Sequence, residues 1–113
     1  MFTYPLTLIG PEGEATVEAT VDTAATYSVV PASVLERIGV LRRWQSRFEL
    51  GDGRIVDYDV GLVEAEIDRD RRPTFCVFGD GSDSLLGAIT LESFLLAVDP
   101  VNKRLIPVPG SLR

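Results

Sequence analysis

Residues 14–21, EATVEATV, alternate strictly between polar and apolar side chains. The apolar side chains of Ala15, Val17, Ala19 and Val21 all point to one face. A period of two indicates a β-strand with one buried face, because a helix would distribute these side chains around its axis. The turn-forming residues PEGE at 11–14 separate this run from FTYPLTLI at 2–9. The two runs therefore predict an antiparallel hairpin.

Short strand-like runs continue along the chain. Residues 48–67 predict two strands around GDG, and Asp52–Gly53 favours a two-residue hairpin turn with positive φ angles. The alternation slips by one residue near Gly61, which predicts a bulge or a bend. TFCVF at 74–78 predicts a buried strand, and LLAVDP and RLIPV, around residues 95–108, predict a terminal hairpin.

Only two segments have helical signals. Residues 31–39 place Pro31 in a first turn and Gly39 at the end. In the second segment we expect Thr90 to cap a short helix whose buried stripe is Leu91, Phe94 and Leu95. Many short strands with one or two short helices predict an all-β domain, either a small barrel or a sandwich. No linker interrupts the pattern, so residues 1–113 are expected to form a single domain.

Charge and missing residue types limit the chemistry. The net charge of −6 argues against nucleic acid as a partner. The chain has no histidine, which excludes Ser-His-Asp and Cys-His catalysis, and its single cysteine excludes an internal disulfide. No apolar run has the ~20 residues needed to cross a bilayer, and no basic leader precedes the first apolar stretch. We expect a cytoplasmic protein without membrane contacts, and any catalysis must depend on carboxylates.

One carboxylate stands in an unusual place, in the segment VDTAATYSVVP. Asp22 falls between two strand-like runs, where it is either a turn residue or a reagent. The succession VDTAATYSVVP, LGDGR, LLGAITLESFLLAVDP and RLIPV resembles the retropepsin-like aspartic proteases, in particular their small prokaryotic members. The resemblance extends from about Val17 to Val108 and keeps the order of the family's elements.

The resemblance implies a small closed β-barrel that forms a homodimer and hydrolyses peptide bonds in peptide or protein substrates. Each subunit would give one catalytic aspartate, Asp22, and neither a metal nor a cofactor is required. The implied support of the active-site loop consists of Thr23, Ala24, Leu86 and Gly87, with Leu85 in the same bracing element. The implied substrate-binding residues are Ala24, Ala25 and Thr26 in the loop and Asp52, Gly53 and Arg54 in the flap.

Ala24 departs from the family pattern, which has glycine at this position. Alanine keeps the backbone N–H and C=O, but its Cβ disfavours positive φ and occupies space between the two active-site loops. An alternative interpretation is therefore a non-catalytic dimeric module of the same fold that holds peptides by strand addition. A second alternative is a structural β domain in which Asp22 is only a turn residue.

Overall fold

A computed structural model describes residues 1–112 of the chain. Its strands and helices follow the order that the sequence patterns predict. They are β1 (Thr3–Gly10), β2 (Gly13–Val21), β3 (Ser28–Pro31), α1 (Ala32–Arg37), β4 (Trp44–Glu49), β5 (Ile55–Ile67), β6 (Asp70–Gly79), β7 (Leu85–Leu86), α2 (Ala88–Ser93), β8 (Leu96–Asp99) and β9 (Arg104–Pro107). The fold is mostly β with two short helices, as expected.

Seven strands form one sheet in the order β1-β2-β7-β3-β6-β5-β4. Residues Thr7–Ile9 of β1 also pair with Glu64–Glu66 of β5, so the pairings from β1 round to β5 form a closed circuit. The remaining strands, β8 and β9, pair only with each other. The terminal hairpin is thus confirmed, but it lies outside the main sheet.

The first hairpin is confirmed with the expected faces. β1 and β2 pair in register from Thr3 opposite Thr20 to Gly10 opposite Gly13. Leu6 and Leu8 are fully buried on the inward face, together with Ala19 of the opposite strand. These residues belong to one hydrophobic core that includes residues of α1 and α2. Period-two burial therefore fixes the register at the N-terminal end of the sheet.

The slip near Gly61 is not a bulge in the pairing of β5 with β6. β5 pairs with β4 over Ile55–Val60 and with β6 over Val60–Ile67, and no residue is skipped in the second register. Val60 and Gly61 are both buried, whereas Leu62 is 47% exposed. The covered face changes near the residue where β5 stops pairing with β4 and begins to pair with β6.

The turn of the β4–β5 hairpin differs from the sequence prediction. At GDG, the Gly53 N–H donates to the Leu50 carbonyl, and Gly53 alone has positive φ, at +87°. This is a longer loop with glycine in the left-handed position. A two-residue turn joins β5 and β6 at Asp68–Arg69, where φ is 51° and 71°. The Asp68 carboxylate there accepts a hydrogen bond from the Tyr4 hydroxyl at 2.7 Å.

The predicted cap of the second helix is wrong. α2 begins at Ala88, with Gly87 as the residue before it, and Thr90 lies within the helix, fully buried. Leu95 is not part of the buried stripe, because it follows the helix with φ of 52° and is 41% exposed. Tertiary hydrogen bonds decide where this helix starts, since its first amide groups donate to the Asp22 loop. Within residues 1–112, no helix is long and apolar enough to span a membrane.

Candidate active site

Asp22 is the first residue after β2, at the start of the loop that leads to β3. Its N–H donates to the Leu86 carbonyl at 3.0 Å, and its side chain is half-buried. The Oδ1 atom accepts a hydrogen bond from the Ala24 N–H at 3.0 Å. The carboxylate is therefore held by its own loop, and it keeps one oxygen, Oδ2, for other contacts.

The loop is held from behind by the segment that contains β7 and α2. β7 lies between the strands that flank the loop, parallel to β2 and antiparallel to β3. The N–H groups of Ala88 and Ile89 donate to the carbonyls of Ala25 and Thr26, at 2.8 and 3.0 Å. These contacts place Leu86 and Gly87 behind the loop.

Gly87 allows this close approach between the two segments. A Cβ at this position would lie 2.6 Å from the carbonyl carbon and oxygen of Tyr27, and 2.9 Å from the carbonyl oxygen of Ala25. Backbone atoms cannot move aside as a flexible side chain can. Any residue larger than glycine would push the loop away from β7.

Ala24 occupies the position where the family has glycine. Among residues 1–112, the non-glycine residues with positive φ are Asp68, Arg69, Leu95 and Lys103, so Ala24 does not adopt the left-handed conformation. The residue is exposed, and its N–H contacts the carboxylate of Asp22. The methyl group is therefore compatible with the conformation of this loop.

An open cleft with a volume of about 750 Å³ extends from Asp22. Ala24, Ala25 and Thr26 line it beside the aspartate, and Leu85 lies in the same wall. Further along, the cleft is lined by Tyr27, Val29, Arg47, Phe48, Glu49, Leu50, Gly51, Tyr58, Val77, Gly79, Asp80, Gly81 and Asp83. Its lining combines apolar, aromatic and charged side chains.

Aromatic side chains form one wall of the cleft. The ring of Tyr27 packs edge-on against Phe48, with centroids 5.6 Å apart, and Phe48 in turn contacts Tyr58 at 6.2 Å. The Tyr58 hydroxyl donates to the Asp80 carboxylate at 3.2 Å. Burial, followed by the nearby charge of Asp80, raises the pKa of Tyr58. This contact links the β4–β5 hairpin to the acidic loop on the cleft rim.

The tip of the β4–β5 hairpin holds the residues that the resemblance assigned to the flap. Asp52, Gly53 and Arg54 are exposed at the tip and do not line the cleft, whereas the neighbouring Leu50 and Gly51 do. The Arg54 N–H and guanidinium Nε donate to the Asp52 carboxylate, at 3.0 and 2.8 Å. These two hydrogen bonds lower the pKa of Asp52, the backbone one most. The tip is stabilised internally and makes no contact with Asp22 in one chain.

A second cavity of about 260 Å³ opens on the other side of Asp22. Thr23 lines it together with Asp22 and Ala24, so Thr23 faces away from the larger cleft. Val21 of β2 also lines it, and the remaining lining residues come from the N-terminus and from the region around β8 and β9, namely Met1, Phe2, Val98, Pro100 and Lys103. Asp22 thus lies at the junction of the two cavities.

Sequence reasoning missed several residues of the cleft. Tyr27 and Tyr58 have no motif of their own, although Tyr27 directly follows the loop and Tyr58 shares a face with Val56. The loop with Asp80 and Asp83, GDGSDS at 79–84, has the composition of a solvated acidic loop and no motif of its own. Its position on the rim follows from the parallel pairing of β3 with β6, a long-range contact without a local sequence signal.

The fold and the loop define a class of protein, the aspartic proteases of the retroviral type. The sequence matches the family described as aspartyl protease over residues 6–89, most of the chain. The protein therefore belongs to the retropepsin-like aspartic protease family. A comparison with curated proteins gave no match.

Solved structures of the same fold support this assignment. The chain is similar to the retroviral protease-like domain of Ddi1 from Leishmania major, at 20% identity and a TM-score of 0.62, over 95% of this chain and 87% of that domain. It is also similar to the protease of Simian Foamy Virus (mac), at 16% identity and a TM-score of 0.57, over 79% of this chain and 90% of that protein. At these identities the likeness concerns the fold.

Proposed function

We propose that the protein is an aspartic endopeptidase whose active site combines Asp22 from two identical subunits. The observation that carries the proposal is the position of Asp22, half-buried between an extended cleft and a second cavity, with its carboxylate oriented by the Ala24 N–H. Membership of the aspartyl protease family supports the same chemistry.

Two copies are needed because one Asp22 cannot both activate water and protonate a leaving amine. Two carboxylates about 3 Å apart cannot both ionise, so they share one proton. The ionised Asp22 removes a proton from water, whose oxygen attacks the scissile carbonyl. The protonated Asp22 hydrogen-bonds the developing oxyanion, and its proton passes to the amide nitrogen as the C–N bond breaks.

The free backbone groups of the loop support binding of an extended peptide. Within residues 1–112, neither the Ala24 carbonyl nor the Thr26 N–H has a hydrogen-bond partner, although the groups between them are paired. A substrate strand can add to these two groups, while its side chains enter the cleft. In the proposed complex, the flap tip at Asp52–Arg54 closes over the peptide and excludes water.

The second cavity supports a two-subunit site. Its lining includes apolar residues of the N-terminus and of β8, namely Met1, Phe2 and Val98, directly beside Asp22. In the proposed dimer, this side of the loop faces the two-fold axis, and the same patch is used twice. The cleft stays open for the substrate.

Peptide cleavage by the wild type and by Asp22→Asn tests the proposal. Asparagine keeps the shape and removes the ionisable carboxyl, so we expect cleavage only by the wild type. The rate should have its maximum below neutral pH and fall toward alkaline pH, because the active state holds one shared proton that is lost as pH rises. Equal activity of the two proteins, or a rate that rises steadily into the alkaline range, contradicts the proposal.

Ala24 favours one alternative, a non-catalytic dimeric module that binds peptides in the same cleft. Here the missing glycine marks a site that has lost turnover and kept strand addition. The same two proteins separate the alternatives when peptide binding is measured beside cleavage. Equal peptide binding by both proteins, with cleavage by neither, identifies the binding module.

A further inference from the structure

Three buried hydroxyl groups form a row directly behind the Asp22 loop. The Ser28 Oγ lies 2.6 Å from the Thr90 Oγ1, and the Thr74 Oγ1 lies 2.8 Å from the Thr90 Oγ1. Ser28, Thr74 and Thr90 are 1%, 5% and 0% exposed, and they belong to β3, β6 and α2. The row therefore connects three separate elements inside an otherwise apolar core.

The row ends on a single peptide group that also contacts Asp22. The Gly87 N–H donates to the Ser28 Oγ at 3.0 Å, and the Leu86 carbonyl accepts from the Asp22 N–H at 3.0 Å. These two groups belong to the same planar peptide unit, which rotates as one body. Ser28 therefore determines the orientation of the carbonyl that holds the backbone of Asp22.

Packing alone does not account for hydroxyl groups at these positions. Burying a hydroxyl is unfavourable unless it is hydrogen-bonded, and valine has nearly the shape of threonine without this penalty. The Gly87 N–H is buried in the same place and requires an acceptor, which Ser28 supplies. Thr90 fixes the position of the Ser28 hydroxyl, and Thr74 fixes that of Thr90.

We propose that Ser28 and Thr90 are positioning residues that orient Asp22 through the Leu86–Gly87 peptide, with Thr74 as their anchor on β6. The inference rests on the proposed function, because the orientation of Asp22 matters for turnover only if its carboxylate is catalytic. None of the three side chains lines the cleft, so none is expected to contact the substrate.

The test compares Ser28→Ala, Thr90→Val and Thr90→Ser with the wild type. Alanine at 28 removes the acceptor of the Gly87 N–H, valine at 90 removes the partner of Ser28, and serine at 90 keeps the hydroxyl. Two control variants reproduce the loss of a hydroxyl hydrogen bond and the loss of core packing at positions away from Asp22. Thr16→Val breaks an exposed Thr7–Thr16 hydroxyl pair of 2.8 Å outside both cavities, and Ile67→Val reduces the core beside the Asp68–Arg69 turn.

The first readout is the kinetics of peptide cleavage. We expect kcat to fall on the order of tenfold in Ser28→Ala and Thr90→Val, with KM changed by less than about twofold, because positioning acts on the transition state. Thr90→Ser should recover most of kcat. Both controls should keep kcat, even where Ile67→Val lowers the melting temperature as much as Thr90→Val does.

The second readout is amide hydrogen exchange at Asp22 and Gly87, which does not depend on turnover. We expect exchange of these two amides to rise on the order of tenfold in Ser28→Ala and Thr90→Val, beyond any change in Ile67→Val. If the wild type cleaves no peptide, the proposed function fails, and exchange alone decides whether the row orients the loop. The inference is overturned if Ser28→Ala and Thr90→Val, at equal stability, show the same kcat and the same amide exchange as Ile67→Val.

Discussion

The active-site loop contains an alanine at the position where its family has glycine. Ala24 does not have positive φ, and its N–H still donates to Asp22. The chemistry of the loop depends on that N–H, which alanine and glycine both supply. Because Ala24 does not have positive φ, its methyl group does not disturb the conformation of the loop.

We expect Ala24→Gly to lower the free energy of unfolding by about 0.4–1 kcal/mol, because glycine gives the unfolded chain more conformations to lose. Activity should change only modestly, since the contact with Asp22 remains. Denaturation curves measure the difference, and Ala25→Gly, another loop alanine without positive φ, serves as the matched control. An increase in stability on Ala24→Gly alone shows instead that the methyl group is strained.

The ionisation of Cys76 also depends on its surroundings, because its side chain is buried. It belongs to the core, is 0% exposed, and pairs with Ser28 in the parallel register of β3 and β6. Burial raises the pKa of Cys76 from 9.0 to about 12, because a thiolate is poorly solvated inside the core. The native thiol therefore stays protonated at pH values where the thiol of the unfolded chain ionises.

This difference predicts a loss of stability at alkaline pH. Above pH 9 the unfolded chain binds fewer protons at Cys76 than the native protein, so the free energy of unfolding falls as pH rises toward 12. The fall should approach roughly 1.4 kcal/mol per pH unit. We expect Cys76→Ala to lack this contribution and to keep those of Tyr4 and Tyr58, whose pKa values are also raised, Tyr4 chiefly by its hydrogen bond to Asp68 and Tyr58 by burial. Equal slopes for both proteins in denaturation series above pH 9 would contradict the assignment.

At the scale of elements, the β4–β5 and β5–β6 hairpins show that strand pairing, rather than a local Asp-Gly motif, determines the type of turn. Asp52–Gly53 predicts a two-residue turn, but the β4–β5 hairpin reverses through a longer loop, and a two-residue turn forms in the next hairpin, at Asp68–Arg69. The registers of β5 with β6 and with β1 fix where the β5–β6 hairpin reverses, and Arg69 adopts positive φ as a result. A non-glycine residue in that conformation is strained by roughly 1 kcal/mol.

Substitutions at the two turns should act in opposite directions. We expect Arg69→Gly to raise the free energy of unfolding by up to about 1 kcal/mol, because it relieves the left-handed strain. Gly53→Ala should lower it by a similar amount, since a Cβ there meets no atom within 4 Å and only the φ of +87° opposes it. Chemical denaturation of both variants decides this, and destabilisation by Arg69→Gly would refute the strain argument.

At the scale of the whole molecule, one chain assembles a complete loop but only one Asp22. The closed circuit of strands, the segment with β7 and α2, and the row of buried hydroxyls all hold this loop in place. The cleft and the second cavity meet at the aspartate. The proposed function then depends on a second copy, and this dependence can be measured.

Mixing subunits tests whether two chains share one site. When equal amounts of wild type and Asp22→Asn re-equilibrate, random pairing leaves about half of the wild-type subunits with a wild-type partner. Activity per wild-type subunit should therefore fall to about half, and a large excess of Asp22→Asn should abolish it. Thr16→Val, added in the same amounts, should not reduce it. If the activity per wild-type subunit does not change when Asp22→Asn is added, the whole site lies in one chain.

The sequence by itself determined the order of elements, the inward face of the first hairpin and the residues of the Asp22 loop. Period-two alternation fixes which side chains are buried, and the succession of motifs around Asp22, Leu86 and Gly87 identifies the family. These signals are local in the chain, so they can be interpreted without coordinates.

Only the tertiary structure decided the start of α2, the place of the two-residue turn, the walls of the cleft and the role of Thr90. Each of these depends on contacts between segments far apart in the chain, such as the bonds from α2 to Ala25 and Thr26, or the pairing of β3 with β6. Local propensity predicted a cap at Thr90. The structure buries this hydroxyl instead, because Ser28 and Thr74 supply the partners that make its burial favourable.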